Sequence, residues 1–233
     1  MGGAGGIGLE TARVLNSKDI KVCICDKNNI EKTEEILGKE FEYYKLDLGD
    51  KDSVIKTLSS IIDKHSKIDS IIYTVSADIK NDTIENLNWE EFQKHIDIQI
   101  KGLFYIVNFI SNIKSENKIK FVVVLTEYCI GKPPSRVSPY ITAKYGLMGF
   151  VKSMASELNP KRCTFNMVSP GMVNTKLLSN LPSKLIEITA NNNPMKRIAE
   201  PLDVAKVISF LISDEADYLN GVNIPINGGN LFV

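Results

Sequence analysis

The chain opens Met1-Gly-Gly-Ala-Gly-Gly-Ile-Gly8 and runs directly into Leu9-Glu-Thr-Ala-Arg-Val-Leu15. Gly2, Gly6 and Gly8 allow a strand to turn sharply into a helix and let the backbone approach a pyrophosphate, while the helix N-terminus offers free N–H groups and partial positive charge to that anion. Glycine-rich chain ends are common, so the cluster gains its weight from the segments after it. The next apolar run ends in Asp26, at the roughly twenty-residue distance where an acidic side chain accepts hydrogen bonds from both hydroxyls of an adenosine ribose. Such a carboxylate repels a 2′-phosphate, which favours NAD over NADP. Asp47, in Lys45-Leu-Asp-Leu48, closes the following run, where it can meet an adenine amino group or cap a turn.

Outward from this loop, apolar runs alternate with amphipathic ones. Residues 21–25, 42–46, 70–75, 119–125, 164–169 and 223–226 read as strands. Residues 9–15, 29–37, 53–65, 88–111, 139–158 and 202–212 read as helices by their 3.6-residue period. The run at 119–125 is nearly continuously apolar, as in a strand buried on both faces. Strand-helix alternation predicts an α/β fold with a Rossmann-type, doubly wound parallel sheet in a single domain over residues 1–233. A polar-apolar insert at 176–193 is expected to serve as a mobile substrate lid. A dinucleotide loop should follow the central strand of its sheet, and nothing precedes Met1 in this sequence. The first strand is therefore expected to be missing from this stretch and to lie upstream of Met1 in the native protein. Without it, buried N–H and C=O groups of its neighbours lack partners, at about 1–3 kcal/mol each.

With 233 residues, 43% of them hydrophobic, the chain can fill one sizeable core. Its 28 basic and 28 acidic side chains cancel, which gives no reason to expect nucleic acid or an anionic membrane as a partner. No apolar stretch reaches the roughly 18 residues of a membrane span. Cys23, Cys25, Cys129 and Cys163 form no CxxC pair and accompany no histidine cluster, so they read as reduced, buried thiols of a cytoplasmic protein without a metal. His65 and His95 read as surface or capping residues, Trp89 as a packing residue, and the basic stretch 114–120 as a solvated loop.

Tyr140 and Lys144 stand four residues apart on the helix-period run, and so share one face. A cation beside a phenol favours phenolate and lowers a pKa that is ordinarily about 10. The pair then works as a proton donor and acceptor near neutrality.

The loop, Asp26 and the Tyr140/Lys144 pair together resemble the short-chain dehydrogenase/reductase family, over nearly the whole length. Its Thr-Gly-x-x-x-Gly-x-Gly looks like Met1 through Gly8, and its Tyr-x-x-x-Lys like Tyr140 to Lys144. Asn166-Met-Val-Ser-Pro-Gly-Met-Val-Asn-Thr175 is similar to its Asn-x-Val-x-Pro-Gly-x-Val-x-Thr segment. Pro194-Met-Lys-Arg197, Glu200-Pro-Leu-Asp-Val-Ala205 and Gly228-Gly229 come in the family's order. The resemblance implies NAD(H) held by the glycine loop with Ile7, Asp26, Asp47, Leu48, Val75, Ser76, Tyr140, Lys144, Val173 and Thr175. It also implies a homodimer or homotetramer built on the helices at 88–111 and 139–158.

The resemblance also marks departures. Where the family has a serine thirteen residues before the tyrosine, this chain has Glu127. An ionised carboxylate there cannot donate to a substrate oxygen. It would also oppose Lys144, by roughly 4 kcal/mol for unit charges about 4 Å apart at an effective dielectric near 20. Thr126 carries a hydroxyl but is expected to face the other way along the strand, unless the strand bulges or the register shifts by one. The asparagine on the long helix becomes Gln99, and Tyr73-Thr-Val-Ser76 replaces Asn-Asn-Ala-Gly. Three readings are open. One is hydride transfer between NAD(H) and a carbonyl or secondary alcohol, with Tyr140, Lys144 and Gln99 catalytic and Glu127 and Thr126 facing a small-molecule substrate. The second is a dinucleotide-binding partner subunit without turnover. The third is a lyase, dehydratase or epimerase with Glu127 as base.

Overall fold

The computed structural model of the protein describes residues 1–28, 30–113, 117–179 and 181–232. Residue 29 at the expected start of the second helix, 114–116 of the basic stretch and 180 of the insert lie outside the described residues. The elements alternate along the chain as α1 (Gly6–Asn16), β1 (Cys23–Asp26), α2 (Ile30–Leu37), β2 (Glu42–Lys45), α3 (Lys51–His65) and β3 (Ser70–Tyr73). They continue as α4 (Trp89–Ile96), a π-helical turn (Asp97–Lys101), α5 (Gly102–Asn112), β4 (Ile119–Val124), α6 (Ser138–Glu157), β5 (Cys163–Pro170), α7 (Ser183–Asn192), α8 (Pro201–Leu211) and β6 (Asn223–Ile226). All pairings between these strands are parallel.

Apolar content explains the layering. In β4 and β5 every residue is buried, because helices cover both faces. Leu58, Leu103, Ile106, Phe121, Leu147, Phe165 and Met167 build the core on one side, with the Phe121 and Phe165 rings stacked at 4.4 Å. Val122, Val124, Val168, Val204 and Ile208 build it on the other. Asp50 caps α3 by accepting from the Asp52 N–H, and Asn88 caps α4 by accepting from Glu91.

The sheet is split. β1 pairs only with β2, while β3 through β6 form a four-stranded sheet in sequence order. Between β1 and β3 lies a cavity of about 340 Å³, lined on either side by Cys23 and Ile71 and bounded by Ala12, Leu15, Leu58 and Ile61 of the covering helices. Met1 closes one end of it. Its ammonium donates to Ile72 O at 2.8 Å, its carbonyl accepts from Thr74 N at 3.0 Å, and Gly2 N donates to Cys25 O at 3.0 Å. One residue thus makes a single rung across a gap one strand wide, where the sequence leads one to expect a central strand.

Several expectations need correction. The insert at 176–193 contains a helix, α7, which carries no buried residue; its helical period was too weakly apolar to be read. Trp89 does not pack into the body of the protein. It is 65% exposed and stacks on Phe92 of its own helix at 5.5 Å. Lys118 and Lys120 are not a solvated patch, because both clamp the 213–217 turn, with Lys120 buried and 2.6 Å from Asp217. Cys23 is only partly buried, unlike the other three free cysteines. Among the described residues, no helix is long and apolar enough to cross a membrane.

Candidate active site

The glycine loop, the ends of β1 and β2 and the segment after β3 converge on one cleft of about 450 Å³. It is lined by Gly2, Gly6, Ile7, Gly8, Asp26, Asp47, Leu48, Val75, Ser76 and Thr175. These ten are among the thirteen residues expected at the cofactor; Tyr140, Lys144 and Val173 do not line the cleft, and other residues such as Lys27, Asn28 and Ile98 do. Two glycines are dictated by geometry. Gly2 takes φ +74°, and a Cβ on Gly8 would sit 2.6 Å from Gly2 O and 2.8 Å from Gly3 Cα. The turn therefore holds its shape with the α1 N-terminus open to the cleft. Ala4 N and Asn28 N donate to the two oxygens of Asp26 at 3.1 and 3.2 Å, which fixes the carboxylate at the cleft wall. Asp47 accepts from Gly49 N at 3.0 Å and pairs with Lys27 at 2.7 Å, and the Lys27 contact holds its carboxyl below the ordinary range. Val173 is buried beside this cleft, bridged to Ala199, and does not line it. The donors and the bare backbone fit a dinucleotide.

Tyr140 and Lys144 come from the first turns of α6, and both are buried. Their geometry departs from the expectation of a depressed phenol. The Lys144 ammonium donates to Val75 O at 3.1 Å and Val124 O at 2.9 Å, and lies 5.8 Å from the centre of the Tyr140 ring. Burial pulls Lys144 down to about 8. Burial pushes the Tyr140 phenol well above its ordinary value, and its hydrogen bond with the Thr126 side chain offsets only part of that rise. In this state the phenol is a protonated donor.

Thr126 meets Tyr140 because β4 ends at Val124 and a 3₁₀ turn begins at Glu127, so strand alternation no longer governs which side each residue faces. Glu127, expected opposite Lys144, faces elsewhere: its Oε2 accepts from Asn230 Nδ2 at 3.1 Å, and its Oε1 lies against Gly171. No ion pair joins it to Lys144 among the described residues. The anticipated cancellation of the lysine charge does not arise.

Gln99 sits fully buried in the π-helical turn that interrupts the long helix. Its Nε2 lies 3.2 Å from His95 Nδ1, and its Oε1 is the one buried side-chain oxygen without a hydrogen-bond partner among the described residues. His95, expected at the surface, is buried, with its ring edge-on to Tyr140 at 6.4 Å. Burial lowers its pKa, and neighbouring Lys94 adds to the effect. A signal was available in sequence: His95 precedes Gln99 by one helical turn. His65, by contrast, ends α3 and contacts Glu42 at 2.8 Å.

Comparison with known proteins agrees with the geometry. A family model described as enoyl-(acyl carrier protein) reductase matches residues 2–230. The 3-oxoacyl-[acyl-carrier-protein] reductase FabG of Buchnera aphidicola subsp. Schizaphis graminum is 33% identical over 96% of this chain and 92% of its own. That of Rickettsia conorii is 30% identical over 100% and 95%. Among solved structures, levodione reductase superposes with a TM-score of 0.89 at 25% identity, covering 98% of this chain and 94% of its own. A 3-ketoacyl-(acyl-carrier-protein) reductase from Brucella melitensis, complexed with NADH, shares the fold at a TM-score of 0.88 and 22% identity, over 98% and 95%. A match running almost end to end, with relatives alike over more than nine-tenths of both chains, makes this chain a member of the short-chain dehydrogenase/reductase family.

Proposed function

We propose that the protein is an oxidoreductase that moves a hydride between a nicotinamide dinucleotide and a carbonyl or secondary alcohol. The observation that carries this is the Lys144 ammonium on Val75 O at 3.1 Å, which sets the buried Lys144–Tyr140 pair beside a cleft lined by the glycine loop, Asp26 and Thr175. The cofactor, when bound, supplies or accepts the hydride. Gly2 to Gly8 and the α1 N-terminus hold its pyrophosphate, and Asp26 holds its adenosine ribose, which favours NAD. Asp47 and Leu48 flank the adenine, while Val75, Ser76, Val173 and Thr175 frame the nicotinamide end.

Tyr140 gives its proton to the substrate oxygen as the hydride arrives. The protonated state of the buried phenol suits carbonyl reduction, in line with the reductase names of the relatives. Thr126 supplies the hydroxyl that orients that oxygen, the part that sequence spacing gives to Glu127. Lys144 holds the nicotinamide ribose. The orphaned Oε1 of Gln99 takes a water through which the proton is restored. Residues 176–193 close over the substrate.

The test pairs turnover with binding. Tyr140→Phe is expected to lower kcat for NADH-dependent carbonyl reduction by about 10²–10⁴-fold while leaving the NADH Kd unchanged. NADPH should bind more weakly than NADH, and Asp26→Ala should narrow that gap. Full turnover in Tyr140→Phe would remove the phenol from the reaction.

A further inference from the structure

Glu127 is spent neither on the phenol nor on the lysine, and its surroundings give it another use. Glu127 as a residue is 6% exposed, and its unpartnered Oε1 keeps access to open space. It borders a second cavity of about 510 Å³, walled by Gly171, by Thr189 and Asn193 at the end of α7, and by the loop 227–230. Charge in this cavity does not balance. Arg197 and Asp203 also line it, but they neutralise each other in a two-pronged pair at 2.6 and 3.0 Å. Glu127 has no cationic partner among the described residues, only the neutral Asn230 amide on Oε2. Its Oε1 makes no hydrogen bond among them.

The loop that presents Asn230 is tied in place by hydrogen bonds. Gly228 and Gly229 adopt φ +64° and +80°, Asn193 Nδ2 donates to Asn227 O at 2.8 Å, and Asn227 Nδ2 donates to Leu231 O at 3.0 Å. A carboxylate that faces a cavity without a counter-charge draws in a cation that enters there.

We infer that this cavity is a binding site for a primary ammonium group on a small organic molecule, with Glu127 Oε1 as its anchor. An ammonium offers three donors. One meets Oε1, and the amide-rich wall supplies acceptors for the others. A divalent metal would call for more carboxylates than the single unpaired one here. Thr126, the neighbour of Glu127 in the chain, does not line this cavity, so the site joins the Tyr140 region only through the backbone at residues 126 and 127. As a substrate subsite, selecting amino-substituted carbonyls or alcohols, the inference rests on the hydride-transfer reading; as a binding site it does not.

The experiment separates the two. Cyclohexylammonium and cyclohexanol are titrated into the ¹⁵N-labelled whole protein while the Asn230 side-chain amide resonance is followed. Saturable shifts are expected for the ammonium and none for the alcohol. Glu127→Gln, which keeps an oxygen for Asn230, should weaken ammonium binding about tenfold or more. Equal response to the neutral alcohol, the same response to potassium chloride, or unchanged ammonium affinity in Glu127→Gln overturns the site. In the same preparation, kcat/KM is compared for an amino-ketone and its methyl isostere. A preference for the amine that disappears in Glu127→Gln supports the substrate role. Equal kcat/KM for the two ketones in the unmodified protein removes that role. Absence of all turnover, with ammonium binding intact, sinks the hydride-transfer reading and leaves the binding site standing.

Discussion

Lys144 is the residue whose environment has the clearest measurable consequence. It is buried, has no acidic partner among the described residues, and is held by two backbone carbonyls, with a pKa of about 8. An exposed lysine in the unfolded chain titrates near 10.4. Between those values the unfolded state binds more protons, so this site adds stability as pH rises. Its burial penalty is present in full below pH 8 and is relieved toward pH 10.5. The unfolding free energy of the unmodified protein, relative to Lys144→Met, should therefore increase by roughly 2–3 kcal/mol from pH 7.5 to 10. Urea titrations at both pH values measure this, and a constant difference would show that the ammonium is not buried in solution. The same low polarity that penalises the lysine keeps the Tyr140 phenol protonated. The expectation of a lysine-lowered phenol took the helical spacing as contact. Spacing puts two side chains on one face, but the carbonyls of Val75 and Val124 decide where the ammonium goes.

At the scale of an element, the π-helical turn at Asp97–Lys101 is the most consequential irregularity. It inserts a wide turn into what would otherwise be one helix from Trp89 to Asn112, at the point where Gln99 faces the site. Tyr73, fully buried at the end of β3, directs its hydroxyl to Ile98 O and Gln99 O, both at 2.9 Å. Those carbonyls lie in the widened turn, so the phenol fastens the bulge to the sheet. Tyr73→Phe should cost about 1–3 kcal/mol and lower the Tm by roughly 2–10 °C, with thermal unfolding as the measurement. An unchanged Tm would mean that water serves these carbonyls equally well. Apolar period located this helix to within a residue at each end, because burial of one face governs both. Periodicity could not reveal the π turn, since one extra residue in a turn leaves the apolar stripe nearly unbroken.

At the scale of the molecule, the gap between β1 and β3 dominates. Lys120 N bonds Asp69 O and Glu42 N bonds Val22 O, so the alternate residues Ser70, Ile72, Cys23 and Cys25 turn their backbone groups toward the gap. Five β-branched residues fused ahead of Met1 can enter in parallel register with both neighbours, burying apolar side chains against Leu15 and Leu58. Burial of these side chains and new backbone hydrogen bonds to both neighbours work against the ordering cost, and the Tm should rise. Amide exchange at Ser70, Ile72 and Cys23 should slow as well. No change in either would mean that the two sheet halves close on each other in solution.

Sequence by itself determined the parallel α/β architecture and the family, and picked out ten residues that meet at the cleft beside the glycine loop. Each rests on local rules: strand-helix alternation, glycines where a Cβ has no room, and an acid at the end of β1. Only the tertiary structure decided which hydroxyl meets Tyr140, because the end of β4 sets the facing of residues 126 and 127. Only it brought His95 against the site, and only it turned Glu127 away from Lys144 and onto Asn230, 103 positions along the chain. Those contacts arise between segments far apart in sequence, where packing and burial, and not spacing, settle which groups touch.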